Sequence, residues 1–429
     1  MKAGSIFRKE GQSYFIPFLI VTLCFALWGF ANDLTHPMVK VFSNIFSIST
    51  LHGSLIQVAF YMGYMVAALP AAFYIRKRDF ASGIRMGLWI YLLGGLLFLP
   101  AAFSENFYIF LLAYFVLTCG LSFLETSCNP YILLLGESRS ASRRLNLAQS
   151  FNPVGSLTGM FVAIYFIQGR LAEVSTSTET STHPELWIVV MPYLGVTVAV
   201  LVMLLLFYVA KLPKIEGQTR SRERGEPLFK RIRTLLSIPS YRRGVAAQFF
   251  YVGAQIMVWT YIIHYGSFFF MEEGLPRSVA EQRAQGYNIG AMILFCLFRF
   301  VNTSLMKRYS APALLRFYAA LAIPLLIGAM LLPFPFGLFA IVAISPCMSL
   351  MYPTIFSVSM EEVNRDKSLA GALLVMAIGG GALIPPLQAA IIDLQNSIGE
   401  WAVRVSFVVP AVCFMVIFAF AHSRLKIRR

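Results

Sequence analysis

The stretch "GLSFLETSCNPYILLLG", residues 120 to 136, places a glutamate inside a run that otherwise reads as soluble in hydrocarbon. An ionised carboxylate within a bilayer costs about 2.5 to 3.5 kcal/mol on insertion scales, and apolar surroundings disfavour its anion. Glu125 stands ten residues before Leu135, about 15 Å along a helix at the usual rise. A carboxylate at that depth that can trade its charge for a proton is a candidate proton carrier. The competing reading is a hydrogen-bonding strut between helices, a task that Asn or Gln would perform at lower cost.

Other polar residues occupy similar positions. One apolar run ends "FALWGFANDLTHP", where Asn32, Asp33 and His36 fall close together and positions 33 and 36 share a helix face. Another opens "SRRLNLAQSFNPVGSLTG", where Asn146, Gln149 and Asn152 recur every third residue beside Gly155 and Gly159, small residues that admit a close helix neighbour. Amides both donate and accept, which suits sugar hydroxyls. In the second half, "AAQFFYVGAQIMVWTYIIHYG" sets Gln248, Gln255 and Trp259 on one face. An aromatic platform beside amides matches a sugar ring with its apolar face and polar rim. Asn288, Tyr352 and Gln388 add polar groups. Arg299, eight residues before Lys307, is expected to stretch to the membrane surface.

Hydropathy identifies the helices that carry these residues. The chain has 429 residues, 58% hydrophobic and 13% charged, with a mean hydropathy of +0.70. Soluble domains carry about 25% charged residues. Apolar runs of about 20 residues, enough to cross a bilayer core, recur throughout. Twelve spans are expected, at 15–35, 53–75, 82–103, 106–135, 143–168, 186–211, 243–270, 285–306, 311–332, 335–358, 368–392 and 401–423. The fold class is therefore an all-α polytopic membrane protein. Its first span lacks a cleavage site and reads as a retained helix.

Lysine and arginine fix the expected orientation. Arg76, Lys77 and Arg78, then Arg139, Arg143 and Arg144, then Lys307 and Arg308, and finally Arg424, Lys426, Arg428 and Arg429 all fall on one side, as do Lys2, Arg8 and Lys9. Both termini are expected to be cytoplasmic. The net charge of +15 is thereby assigned to loops beside spans rather than to nucleic-acid binding. The six cysteines lie inside apolar runs without a paired spacing and read as small core residues. No metal site or cofactor motif is expected.

Residues 212–242 form the longest polar segment, with a short amphipathic helix near Leu228 to Ile238. They divide the chain into 1–211 and 243–429, six spans each. Lys77-Arg78 and Lys307-Arg308 stand 230 residues apart, and Asn129-Pro130 and Tyr352-Pro353 occupy matching spans. That repeat is expected from duplication of a six-helix unit.

The segments "LETSCNPYILLLG", "SRRLNLAQSFNPVG", "YVGAQIMVWTYIIHYG", "MYPTIFSVSM" and "IGGGALIPP" closely resemble the fucose-galactose-glucose proton symporter family of the major facilitator superfamily. The resemblance runs from the first span through the eleventh. It implies proton-coupled symport of a neutral monosaccharide by alternating access, with L-fucose expected first, in a bacterial inner membrane. It further implies a proton-coupling role for Glu125 and sugar contacts at Gln149, Asn152 and Tyr352, to which the residue reading adds Asn32, Gln255 and Trp259. The partners expected are sugar, proton and membrane lipid, without nucleic acid and as a monomer. One departure stands out: His36 occupies the position of an aspartate in the fucose branch, and Asp33 stands where that branch has asparagine. Asp33 is accordingly a second proton-coupling candidate and His36 a substrate-side one. Another hexose, sodium coupling and a membrane sugar sensor are the alternatives.

Overall fold

The computed structural model describes residues 7–9, 12–35, 38–48, 50–53, 55–162, 166–167, 170, 184–210, 212–213, 227–394 and 399–427. His36 lies outside them, as do residues 214–226 of the polar segment.

Among the described residues, 11 helices are long and apolar enough to cross a membrane. They are Phe15–Thr35, Leu55–Lys77, Phe80–Phe103, Phe107–Leu134, Glu185–Val209, Pro239–Glu272, Val279–Leu305, Ala311–Leu331, Phe336–Met360, Lys367–Ile392 and Glu400–Leu425. Each falls on an expected span, and we number them as first to fourth and sixth to twelfth. The fifth differs. It runs as Ala141–Gln149 and then Asn152–Phe161, broken at Ser150-Phe151. Pro153 explains the break: it has no amide to donate to the Gln149 carbonyl four residues back.

Local chemistry sets the helix starts. The Asp79 carboxylate accepts from the Ser82 amide at 2.6 Å and opens the third span directly after the Arg76-Lys77-Arg78 cluster. Asn106 caps the fourth in the same way, accepting from the Tyr108 amide at 2.9 Å. Pro239 occupies the first turn of the seventh span, whose 34 residues make it the longest. A two-residue antiparallel ladder pairs Arg8 with Ser13 and Lys9 with Gln12.

The chain divides into two compact units. The first comprises residues 1–144, 148–224 and 366–376, and the second 145–147, 225–365 and 377–429. The eleventh span is thus shared between them, and its division coincides with a local change of helix type. The α-helix Lys367–Met376 gives way to a tighter turn at Ala377–Gly379 before the helix resumes. Gly379-Gly380-Gly381 supply the backbone freedom for that change, and Pro385-Pro386, which lack donors, mark a second interruption at Ile384.

In the first unit, the first span and Asn152–Phe161 lie backbone to backbone. A Cβ on Gly155 would meet the Ala26 carbonyl oxygen at 1.9 Å, and one on Gly29 would meet that of Asn152 at 2.0 Å. Only glycine permits this approach. In the second unit, one end of the bundle is tied by charge. Arg424, buried to 4% exposure, donates to Glu361 at 3.2 Å and to Glu362, which also accepts from the Ser240 hydroxyl. Burial pushes the Glu362 carboxyl up, but its Ser240 and Arg424 hydrogen bonds outweigh that and hold it below the usual carboxylate range. This cluster joins the ends of the seventh, tenth and twelfth spans.

Candidate functional site

Glu125 sits within the fourth span with 0% exposure, so the structure puts a carboxylate fully inside protein at membrane depth. Around it the first unit supplies Tyr64, which lies within electrostatic reach of Glu125 and whose ring is tilted against that of Trp28 with centres 6.4 Å apart. Asn129 stands one helical turn beyond Glu125 and is also fully buried. Its Oδ1 accepts from Gln149 Nε2 at 2.8 Å.

The amide stripe of the fifth helix therefore does not act as one surface. Gln149 bonds to Asn129 on the fourth span, and Asn152 donates to the Phe25 carbonyl on the first at 3.3 Å. Asn146, which groups with the second unit, donates to Thr354 Oγ on the tenth at 3.2 Å. Asn146 and Gln149 precede the break in this helix and Asn152 follows it, and each of the three takes a different partner. Asn32 and Asp33 are half-buried near the end of the first span, with Asp33 in electrostatic reach of Tyr61.

In the second unit Gln255 and Trp259 are half-buried on the seventh span. Trp259 Nε1 donates to Ser345 Oγ at 3.2 Å, and its ring meets Phe295 edge-on at 5.0 Å. One indole edge is thus held by the tenth and eighth spans. Tyr352, 8% exposed, lies 6.4 Å from the Tyr251 ring, whose hydroxyl donates to the Met348 carbonyl at 3.0 Å. Gln388 donates instead to Ser406 at 3.1 Å and is fully buried, so its amide ties the eleventh span to the twelfth.

Arg299 corrects the sequence expectation. Its side chain does not stretch to the surface but is 5% exposed, with the guanidinium 4.9 Å from the Phe295 ring centre and in electrostatic reach of Tyr251 and Tyr352. An aromatic face attracts a cation most strongly where water is excluded, and Phe295 lies one turn away on the same helix.

The sequence reading used Asn129 only as a repeat marker, yet the structure makes it the residue that orients Gln149. The signal was present in its spacing of four from Glu125. Removing the Asn129 amide takes an acceptor from the buried Gln149 donor, a loss of about 1 to 3 kcal/mol. Asn129→Ala is therefore expected to weaken binding of a hydroxylated ligand at this pair by about tenfold or more. An unchanged affinity would remove the pair from the candidate site.

The first unit thus holds a buried carboxylate beside an amide pair, and the second an indole and a tyrosine, groups whose chemistry suits proton exchange and hydrogen bonding to hydroxyls. Residues 21–386 match the Major Facilitator Superfamily. The chain belongs to the Major Facilitator Superfamily. Within it, the chain is similar to the L-fucose-proton symporter of Haemophilus influenzae, 39% identical over 97% of this chain and 98% of that protein. It is also similar to the L-fucose-proton symporter of Escherichia coli K12, 32% identical over 97% and 94%. Among solved structures, the Major Facilitator Superfamily transporter FucP in the outward conformation matches with a TM-score of 0.84 and 31% identity, covering 96% of this chain and 99% of that one. This is a multi-pass membrane protein of that superfamily, with the all-α architecture expected from hydropathy.

Proposed function

We propose that the protein carries a neutral monosaccharide, L-fucose first, together with a proton across a bacterial inner membrane. It does so by alternating access of the halves 1–211 and 243–429 joined by 212–242, as a monomer in lipid, with both termini cytoplasmic and without enzymatic activity, cofactor or nucleic-acid partner. The observation that carries the reading is Glu125: a carboxylate with 0% exposure on a membrane helix, one turn from an amide pair suited to hydroxyls. The similarity to two L-fucose-proton symporters, over nearly the whole of each chain, supports the choice of sugar and ion.

In this reading Glu125 and Asp33 exchange the proton, and Asn32, His36, Gln149, Asn152, Gln255, Trp259 and Tyr352 contact the sugar. Protonation of Glu125 removes a buried charge and permits the cavity to open to the other side. Asn129 joins the set as the residue that orients the Gln149 amide. A second reading is another hexose, such as galactose, glucose or mannose. It is favoured by the first-span exchange that puts Asp33 in place of asparagine and His36 in place of aspartate.

The test is uptake of radiolabelled L-fucose into proteoliposomes with an imposed inward proton gradient, competed by unlabelled galactose, glucose and mannose. Proton-dependent uptake that resists the competitors is the expected result. Uptake driven by sodium alone would overturn the proton, and competition by another hexose would move the specificity to that sugar.

A further inference from the structure

The helix Leu228–Ser237 leads into the seventh span with only Ile238 between them. Its residues form three sectors at about 100° per residue. Arg231 and Leu235, four apart, are buried to 4% and 5% exposure and face their own unit. The next sector carries Phe229, Ile232 and Leu236, an apolar stripe at helical spacing that the described residues leave partly open. Ile232 and Leu236 are partly open, and Phe229 is 78% exposed. Beyond that stripe Lys230 and Arg233 are exposed.

The depth of this helix is set by the span after it. The seventh span's 34 residues measure about 51 Å, against about 30 Å of hydrocarbon. Arg242 and Arg243 are exposed in its opening turns, which marks where the apolar layer ends. Ile238 lies about 6 to 8 Å further out along the axis, within the headgroup layer. A helix at that level with an open apolar stripe bordered by cations has the chemistry of a segment lying in the interface.

We infer that Leu228–Ser237 docks on the anionic phospholipid headgroups of the leaflet at this end of the bundle, with Phe229 inserted at the acyl boundary and Lys230 and Arg233 on phosphates. Charge complementarity selects the occupant: basic side chains beside a bilayer concentrate anionic lipid, whereas zwitterionic lipid offers them no net attraction.

The test places Phe229→Trp in nanodiscs and compares its emission with that of the parent, which carries the same five native tryptophans. In discs rich in phosphatidylglycerol, acyl chains brominated near the headgroup are expected to remove most of the added emission, and aqueous acrylamide little of it. In phosphatidylcholine discs, or with Lys230→Gln and Arg233→Gln added, the pattern is expected to reverse. Added emission quenched by acrylamide and untouched by brominated lipid in phosphatidylglycerol overturns the proposal, since it would place Phe229 in water or under another protein. Equal lipid quenching in both kinds of disc overturns the anionic preference. Hydrogen exchange of the unmodified chain gives an independent reading: amides of 228–237 are expected to be better protected in phosphatidylglycerol discs, and equal protection contradicts the docking. Neither measurement depends on transport.

Discussion

Glu125→Gln is expected to abolish proton-driven accumulation of sugar while leaving exchange of labelled for unlabelled sugar across the membrane. The carboxylate is fully buried, and a glutamine of the same shape keeps its hydrogen-bonding bulk but can neither bind nor release a proton. One proton moving inward releases about 2.3 kcal/mol per 100 mV of potential, which supports about fifty-fold accumulation of a neutral sugar at that potential. The variant should bring the ratio of inside to outside sugar to about one, by the loss of that driving term. Both quantities come from the same proteoliposomes, by filtering them under a gradient and at equilibrium. Retained accumulation would mean that coupling resides elsewhere, with Asp33 the next residue to test, and the proposed mechanism would fall.

Gly155→Val is expected to unfold the first unit or to lower its melting point far more than a routine substitution. The new Cβ would lie 1.9 Å from the Ala26 carbonyl oxygen, and backbone cannot swing aside as a side chain can. Forced overpacking costs about 1 to 3 kcal/mol or more, equivalent to a fall of several degrees at about 2 to 4 °C per kcal/mol for a domain of this size. The control is Gly286→Ala, where an added Cβ meets nothing within 4 Å. Thermal unfolding in detergent reads both. A Gly155→Val protein that melts with the control would show that the first and fifth helices do not touch through their backbones. Because Asn152 donates to Phe25 across the same seam, the variant also displaces a residue proposed to contact sugar.

Hydropathy made the spans legible because a bilayer demands long uninterrupted apolar runs. The residue boundaries of Phe15–Thr35 and Ala311–Leu331 fall within a residue of the expectation. Proline chemistry explains why the break inside 143–168 was not legible: hydropathy does not register a donor missing at Pro153. Side-chain direction was harder still. Arg299 looked close enough to Lys307 to reach the surface, but spacing along a helix does not reveal that its guanidinium is buried over the Phe295 ring. The fifth-helix amides were legible as polar residues at helical spacing. Their separate partners, Thr354, Asn129 and Phe25, are long-range facts that no local pattern carries.

The break at Ser150-Phe151 bears on how the site will respond to genetic scanning. Pro153 deprives the Gln149 carbonyl of its helical donor, so what that oxygen bonds is fixed by the main chain and not by the Gln149 side chain. No codon change at position 149 deletes that oxygen. A scan that truncates side chains one at a time would then under-count the contacts of this helix, and a Gln149→Ala strain that still grew on the sugar would not acquit the position. The informative lesion is at 153, where replacing proline restores an amide and lets the helix close over its own acceptor.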